Sequence, residues 1–175
     1  MADKFLKIAI TSPETIDREA MRIVAILESG FDYVHIRKPS WNEQQMRRLL
    51  EDIPATWRQR IVLHDFHHLA GDNGAGGVHL NSRNPVPPAG DVGFSVSCHT
   101  LSEIELHPGA RYRFLSPVYP SISKPGYMPH FTLNEISSLI TGKNVVALGG
   151  ITPDKFSELR QAGFIGAAML GYLWN

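Results

Sequence analysis

Eight short apolar runs, each followed by a longer polar or amphipathic stretch, constrain this chain more than any other feature. They lie at 5–10, 33–36, 61–64, 77–80, 93–97, 112–115, 145–148 and 165–170. Several are apolar at successive positions, Val145-Val146-Ala147-Leu148 above all, which is the pattern of strands covered on both faces. Helical patterns lie between many of them. In 16–28, Ile16, Ala20, Ile23, Val24 and Leu27 share a face, and Gly30 follows as a stop. Residues 42–51 carry Met46, Leu49 and Leu50, and 131–140 carry Leu133, Ile136 and Leu139. Thr152-Pro153-Asp154 reads as the cap, first-turn proline and acidic first turn of a helix that ends before Gly163. This alternation predicts an α/β chain, a parallel (β/α)8 barrel, with an open doubly wound sheet as the runner-up.

The 175 residues suit one domain, 1–175, but fall short of the roughly 250 that such a barrel usually takes. The shortage falls on the crossovers after the third and fourth strands and on the last helix, expected to be absent or vestigial. Tyr172, Leu173 and Trp174 then form an apolar flank, for which a second copy of the chain, a homodimer, is the expected cover. Lys+Arg and Asp+Glu both number 17, so there is no basic stripe for nucleic acid and no polybasic membrane patch. Apolar residues at 43% and charged residues at 19% exclude whole-chain disorder. No apolar run approaches the ~20 residues that cross a bilayer. The start, Met1-Ala2-Asp3-Lys4, does not read as a signal peptide, and the single Cys98 cannot form an internal disulfide. A reduced, cytoplasmic location is expected.

In such barrels the reactive groups sit where strands end and loops begin. The second strand ends in His35-Ile36-Arg37-Lys38, where alternation puts His35 and Arg37 on one face and Arg37 offers a bidentate anion ligand. The third ends in His64-Asp65-Phe66-His67-His68. The histidines lack zinc-site spacing, whereas Asp65 could hold Mg²⁺ together with water and phosphate oxygens. The fifth ends in Ser97-Cys98-His99-Thr100; Cys98 reads as packing and His99 as an acid/base candidate. After the sixth, prolines stiffen a loop in which Ser121, Ser123 and Lys124 offer donors to a phosphate or carboxylate. The seventh ends in Leu148-Gly149-Gly150-Ile151-Thr152-Pro153, whose glycines and capped helix start favour an anion, and Gly171 supplies a second glycine turn after the eighth.

Together these segments resemble the thiamine phosphate synthase/TenI family, from the second strand to the eighth. The most specific are Val96-Ser97-Cys98-His99-Thr100, the loop at 116–126 (similar to the family's GPVYPTxTKPG) and 146–152 (similar to VAIGGIT), with Gly77-Val78-His79-Leu80 similar to the family's DGVHLGQ. The resemblance implies a thiamine-biosynthesis transferase that couples hydroxymethylpyrimidine diphosphate to thiazole phosphate, with Mg²⁺, and releases pyrophosphate. By position, Gly149 and Gly150 would hold the thiazole phosphate, with Gly171 nearby. Ser121, Ser123 and Lys124 would face the pyrophosphate and thiazole. Ser97 would sit near the pyrimidine, His35, Arg37 and Lys38 would line the diphosphate side, and Asp65 would ligate the metal. Several positions depart from the synthase pattern. Pro39 stands for a lysine, His64 for an asparagine, Asn84 for the second metal carboxylate and Gly171 for a serine. The alternatives are a metal-free TenI-type thiazole tautomerase with His99 as acid/base, a non-catalytic thiazole or thiamine phosphate binder, and a metal hydrolase built on the histidines at 64–68.

Overall fold

The computed structural model describes residues 4–120, 128–129 and 131–174. Eight parallel strands close into a barrel in sequence order. They are β1 (Leu6–Ile10), β2 (Tyr33–Ile36), β3 (Ile61–Leu63), β4 (Gly77–Leu80), β5 (Phe94–Cys98), β6 (Arg113–Leu115), β7 (Val145–Leu148) and β8 (Gly166–Met169). The seam closes where Leu6 pairs with Gly166 and Ala9 with Met169. All eight expected strands form, trimmed or shifted by a residue or two at their ends. The open-sheet alternative is excluded by closure.

Helices α1 (Glu19–Glu28), α2 (Glu43–Asp52), α3 (Ala55–Arg58), α4 (Leu69–Asn73), α5 (Leu101–Glu105), α6 (Leu133–Ile140), α7 (Phe156–Gln161) and α8 (Gly171–Trp174) surround the strands. The barrel is compact because α3, α4, α5 and α8 are single turns. Helix α1 begins at Glu19 rather than at 16, since Arg18 takes a left-handed backbone with φ +53°. The expected helix after β7 opens instead as a 3₁₀ turn, Pro153–Lys155, and Thr152 makes no side-chain cap to its backbone. Within the C-terminal flank, Leu173 packs on the core and the Trp174 indole donates to the Ile10 carbonyl at 2.7 Å, which leaves Tyr172 as its exposed member. Among the described residues no helix is long and apolar enough to cross a membrane.

Strand alternation divides the core in two. Val34, Ile36, Ile61, Leu63, Val78, Leu80, Val145 and Ala147 face outward and pack beneath the helices with Ile23, Leu27, Met46 and Leu50. Ile8, Ile10, Tyr112, Phe114, Val146 and Ala168 fill the interior on the β1, β6, β7 and β8 side. On the β2–β5 side the inward positions carry His35, His64, His79, Ser95 and Ser97, so the barrel has an apolar half and a polar half.

Candidate active site at the barrel mouth

The polar half of the interior forms two hydrogen-bonded arms. In one, Tyr112 Oη lies 2.7 Å from His35 Nε2, and His35 Nδ1 lies 3.0 Å from His64 Nε2. In the other, His79 Nδ1 lies 2.8 Å from Ser95 Oγ, and its Nε2 lies 2.8 Å from Ser97 Oγ. The His64 and His79 rings stack at 4.2 Å and join the arms. Burial holds all three imidazoles neutral: it lowers His35 and His64 well below the ordinary value and His79 to about 3. A neutral imidazole has one donor and one acceptor nitrogen, so each arm is self-consistent in either of two directions. One direction of the second arm has the Ser97 hydroxyl donating to His79.

The ligand atoms of His35, His64 and His79 lie within 4.8 Å of one another, the spacing of a metal-binding trio. They are already spent on each other and on the Tyr112, Ser95 and Ser97 hydroxyls, and a bound ion would have to break those bonds. The three consecutive-segment histidines do not converge. His64 points inward, His67 Nε2 meets the His79 carbonyl at 3.2 Å, and His68 lies outside against Glu43 at 3.2 Å.

Above the arms, the ends of β2, β3 and β4 bring Arg37, Asp65, Arg83 and Asn84 together. Arg37 is half-buried, its backbone N–H bonded to Thr11 Oγ1 at 3.0 Å. Burial and the neighbouring Arg83 charge lower its pKa, and Asp65 opposes that shift. Asp65 accepts from Arg83 Nη2 at 2.9 and 3.2 Å, on its two oxygens, and from Asn84 Nδ2 at 3.2 Å. A cavity of about 560 Å³ opens beside them, lined by Lys38, Asp65, His67, Arg83 and Asn84 among others.

Lys38 reaches this cavity wall but not with its charge. Its side chain is fully buried, with Nζ 2.6 Å from Glu19 Oε1, 2.5 Å from the Glu14 carbonyl and over the Trp41 ring. Burial raises Glu19 and the Lys38 ammonium opposes that shift. Alternation already turns Lys38 away from the Arg37 side, and the ion pair fixes it there.

Across the mouth the loop after β6 lies on the turn after β7. Val118 N–H donates to the Leu148 carbonyl at 2.9 Å and Tyr119 N–H to the Gly149 carbonyl at 3.1 Å. Gly149 and Gly150 take φ +98° and +64°, and a Cβ on them would come within 2.9 Å of Pro117 Cα and 2.4 Å of the Pro120 carbonyl oxygen. The glycines are thus required by the contact between the two loops as well as by any approaching anion. His99 is exposed at the end of β5, with Nδ1 3.1 Å from the Ser116 carbonyl and its N–H on Glu103. Gly171 begins α8. Ser121, Ser123 and Lys124 lie outside the described residues.

The strand ends carry His35, Arg37, Asp65, Ser97, His99 and the glycine pair to one end of the barrel. Lys38 points away from it, and His35 lies in the core beneath it. Sequence reasoning missed His79, Tyr112 and Arg83. His79 sat in the segment 77–80 as the one polar residue of an apolar run, which is the signal of an inward-facing functional side chain. Arg83 was hidden in a stretch readable as a Pro/Asn/Gly-rich loop.

A Mg²⁺ ion needs oxygen donors, and beside Arg37, Arg83 and Asn84 the described carboxylate is Asp65. Both of its oxygens face the Arg83 cation and Asn84 supplies no charge, so this donor set does not fit the ion.

Comparison with known proteins gives the family. The family model described as thiamine monophosphate synthase matches residues 8–173. A thiamine-phosphate synthase of Saccharophagus degradans is 27% identical over 161 residues, covering 81% of this chain and 71% of that one. One from Lactococcus lactis subsp. cremoris is 24% identical, covering 91% and 80%. The crystal structure of a thiamine phosphate pyrophosphorylase from Bacteroides thetaiotaomicron superposes with TM-score 0.86 at 34% identity, covering 98% of this chain and 85% of the other. That from Pyrococcus furiosus, at 21% identity and TM-score 0.78, shares the fold. With nearly the whole barrel matched, this chain belongs to the thiamine monophosphate synthase family.

Proposed function

We propose that this chain is a thiamine-phosphate synthase that couples hydroxymethylpyrimidine diphosphate to thiazole phosphate, within a single barrel unit. The observation that carries the reading is a family match along the barrel to relatives of that name, joined to a mouth with a cationic rim and a glycine turn. The C–O bond between the pyrimidine methylene and the diphosphate breaks, and its electron pair leaves with pyrophosphate. The thiazole nitrogen supplies the pair for the new C–N bond. Arg37 grips the diphosphate, and the Gly149 and Gly150 backbone N–H groups hold the thiazole phosphate on the opposite rim. Ser97, oriented by His79, faces the pyrimidine. The family resemblance assigns Ser121, Ser123 and Lys124, which lie outside the described residues, to the pyrophosphate and the thiazole, and Gly171 to the thiazole phosphate side.

Mg²⁺ is the ion that the family resemblance implies at Asp65. Because the donor set there does not fit it, no step is routed through a metal. His35 supports the floor of the site rather than touching the diphosphate, and Lys38 braces the wall through Glu19. The partners are small phosphorylated heterocycles, a second copy of the chain is the proposed assembly, and the cytoplasm is the proposed location.

The test is incubation of the purified protein with both substrates. Thiamine phosphate and pyrophosphate should appear in equal amounts. No pyrophosphate, with or without Mg²⁺, overturns the reading. Rearrangement of a thiazole carboxylate phosphate without coupling would instead assign the tautomerase, with His99→Ala as its sensitive variant.

A further inference from the structure

The loop after β4 presents a cation in a built setting. Asn81 and Asn84 exchange backbone hydrogen bonds at 3.2 and 3.0 Å, and Asn81 Oδ1 accepts from the Arg83 N–H at 2.9 Å. Asn81 Nδ2 and Asn84 Nδ2 both donate to the His64 carbonyl at 3.0 Å, which ties this turn to the end of β3. The turn holds Arg83 against Asp65. Asp65 is 14% exposed on its side chain and Arg83 is 45% exposed, so the carboxylate is the more covered of the pair, and both line the cavity.

The charges at this rim do not balance. Asp65 is paired with Arg83, and the Arg37 charge, which feels both of them, has no carboxylate paired with it among the described residues. Among the described residues none accepts a hydrogen bond from the Arg37 guanidinium, although it is half-buried. Arg83 commits Nη2 to Asp65, and its other donors meet no described acceptor. Arg83 lines the cavity of about 560 Å³, Arg37 lies near enough to feel its charge, and two guanidinium groups with one positive charge in surplus are matched by an anion carrying several charges. Planar forks suit phosphoryl oxygens, and an arginine can stabilise the charge that builds on a departing phosphate as a metal ion does.

We propose that in this chain Arg83, moored on Asp65, stands where a carboxylate-held metal would, and that with Arg37 it forms a metal-independent cradle for the substrate diphosphate. The inference rests on the synthase reading for its ligand. It gives Asp65 a different task, positioning a guanidinium rather than ligating Mg²⁺.

Calorimetric titration with inorganic pyrophosphate tests it, run in EDTA and in Mg²⁺, alongside Mn²⁺ titration of the protein followed by electron paramagnetic resonance. Pyrophosphate should bind in EDTA with an affinity within about twofold of that in Mg²⁺. Arg83→Gln, a change on an exposed loop, should weaken it by about tenfold or more, as loss of a charge-assisted contact does. Asp65→Asn should weaken it less and equally in both buffers, and the wild type should take up no stoichiometric Mn²⁺. Binding that collapses in EDTA, Arg83→Gln binding like the wild type, or Mn²⁺ uptake abolished by Asp65→Asn would each overturn the cradle. Failure to bind pyrophosphate in either buffer overturns it too. The two readings fail separately. Coupling that needs Mg²⁺-dependent pyrophosphate binding leaves the synthase and removes the cradle, whereas EDTA-resistant binding without coupling leaves the cradle and removes the synthase.

Discussion

At Gly150 the backbone has φ +64°, and a Cβ would lie 2.4 Å from a carbonyl oxygen. The neighbour is main chain, so it cannot rotate away. Gly150→Ala should therefore destabilise the fold by roughly 2–3 kcal/mol, read as a lower urea midpoint with an unchanged slope. A lone pair of glycines in the sequence announces a close approach but not whether ligand or protein approaches. Tyr112→Phe makes a second test. It keeps the ring that packs on Phe114 and strips the partner from His35 Nε2, inside the barrel. The expected loss is about 1–3 kcal/mol, the cost of an unsatisfied buried polar atom. Of the site residues, Arg37, Asp65 and Ser97 were legible from their places at strand ends. The mutual bonding of His35, His64 and His79 was not, because strand order and register decide which inward side chains meet.

At the scale of elements the sequence carried most of what formed. Runs of apolar, often β-branched residues made all eight strands, the 3.6-residue pattern located α1, α2 and α6, and the Thr152-Pro153-Asp154 start with the Gly163 stop located α7. The short crossovers were harder, since single turns such as α4 and α5 hold too few residues to show a period. The start of α1 was misplaced by three residues, because burial of Glu19 under Lys38 is a tertiary event. Helix α6 gives a local test. The Thr132 hydroxyl accepts from the Glu135 N–H, and the Glu135 carboxylate accepts from the Thr132 N–H at 2.7 Å. Thr132→Ala should cost about 1 kcal/mol, measured by thermal or urea unfolding.

For the whole molecule, the neutral imidazole core links stability to pH. His35, His64 and His79 have lower pKa values folded than unfolded, so below the ordinary value of 6.5 the unfolded chain binds more protons. Their contribution is complete above that value and is lost as pH falls toward the folded values, about 3 for His79. Between about pH 7.5 and about pH 5 one such imidazole costs roughly 2 kcal/mol, and urea midpoints at the two pH values should show the fall. A His35→Leu, Tyr112→Phe double variant should flatten that slope.

The stacked, buried rings of His64 and His79, the first bonded to His35 and the second to the Ser95 and Ser97 hydroxyls, carry a spectroscopic consequence. Ring N–H protons held this way exchange slowly with solvent. They should appear as resolved proton resonances downfield of the amide envelope, a direct view of which nitrogen each ring protonates and of whether a bound substrate reverses it.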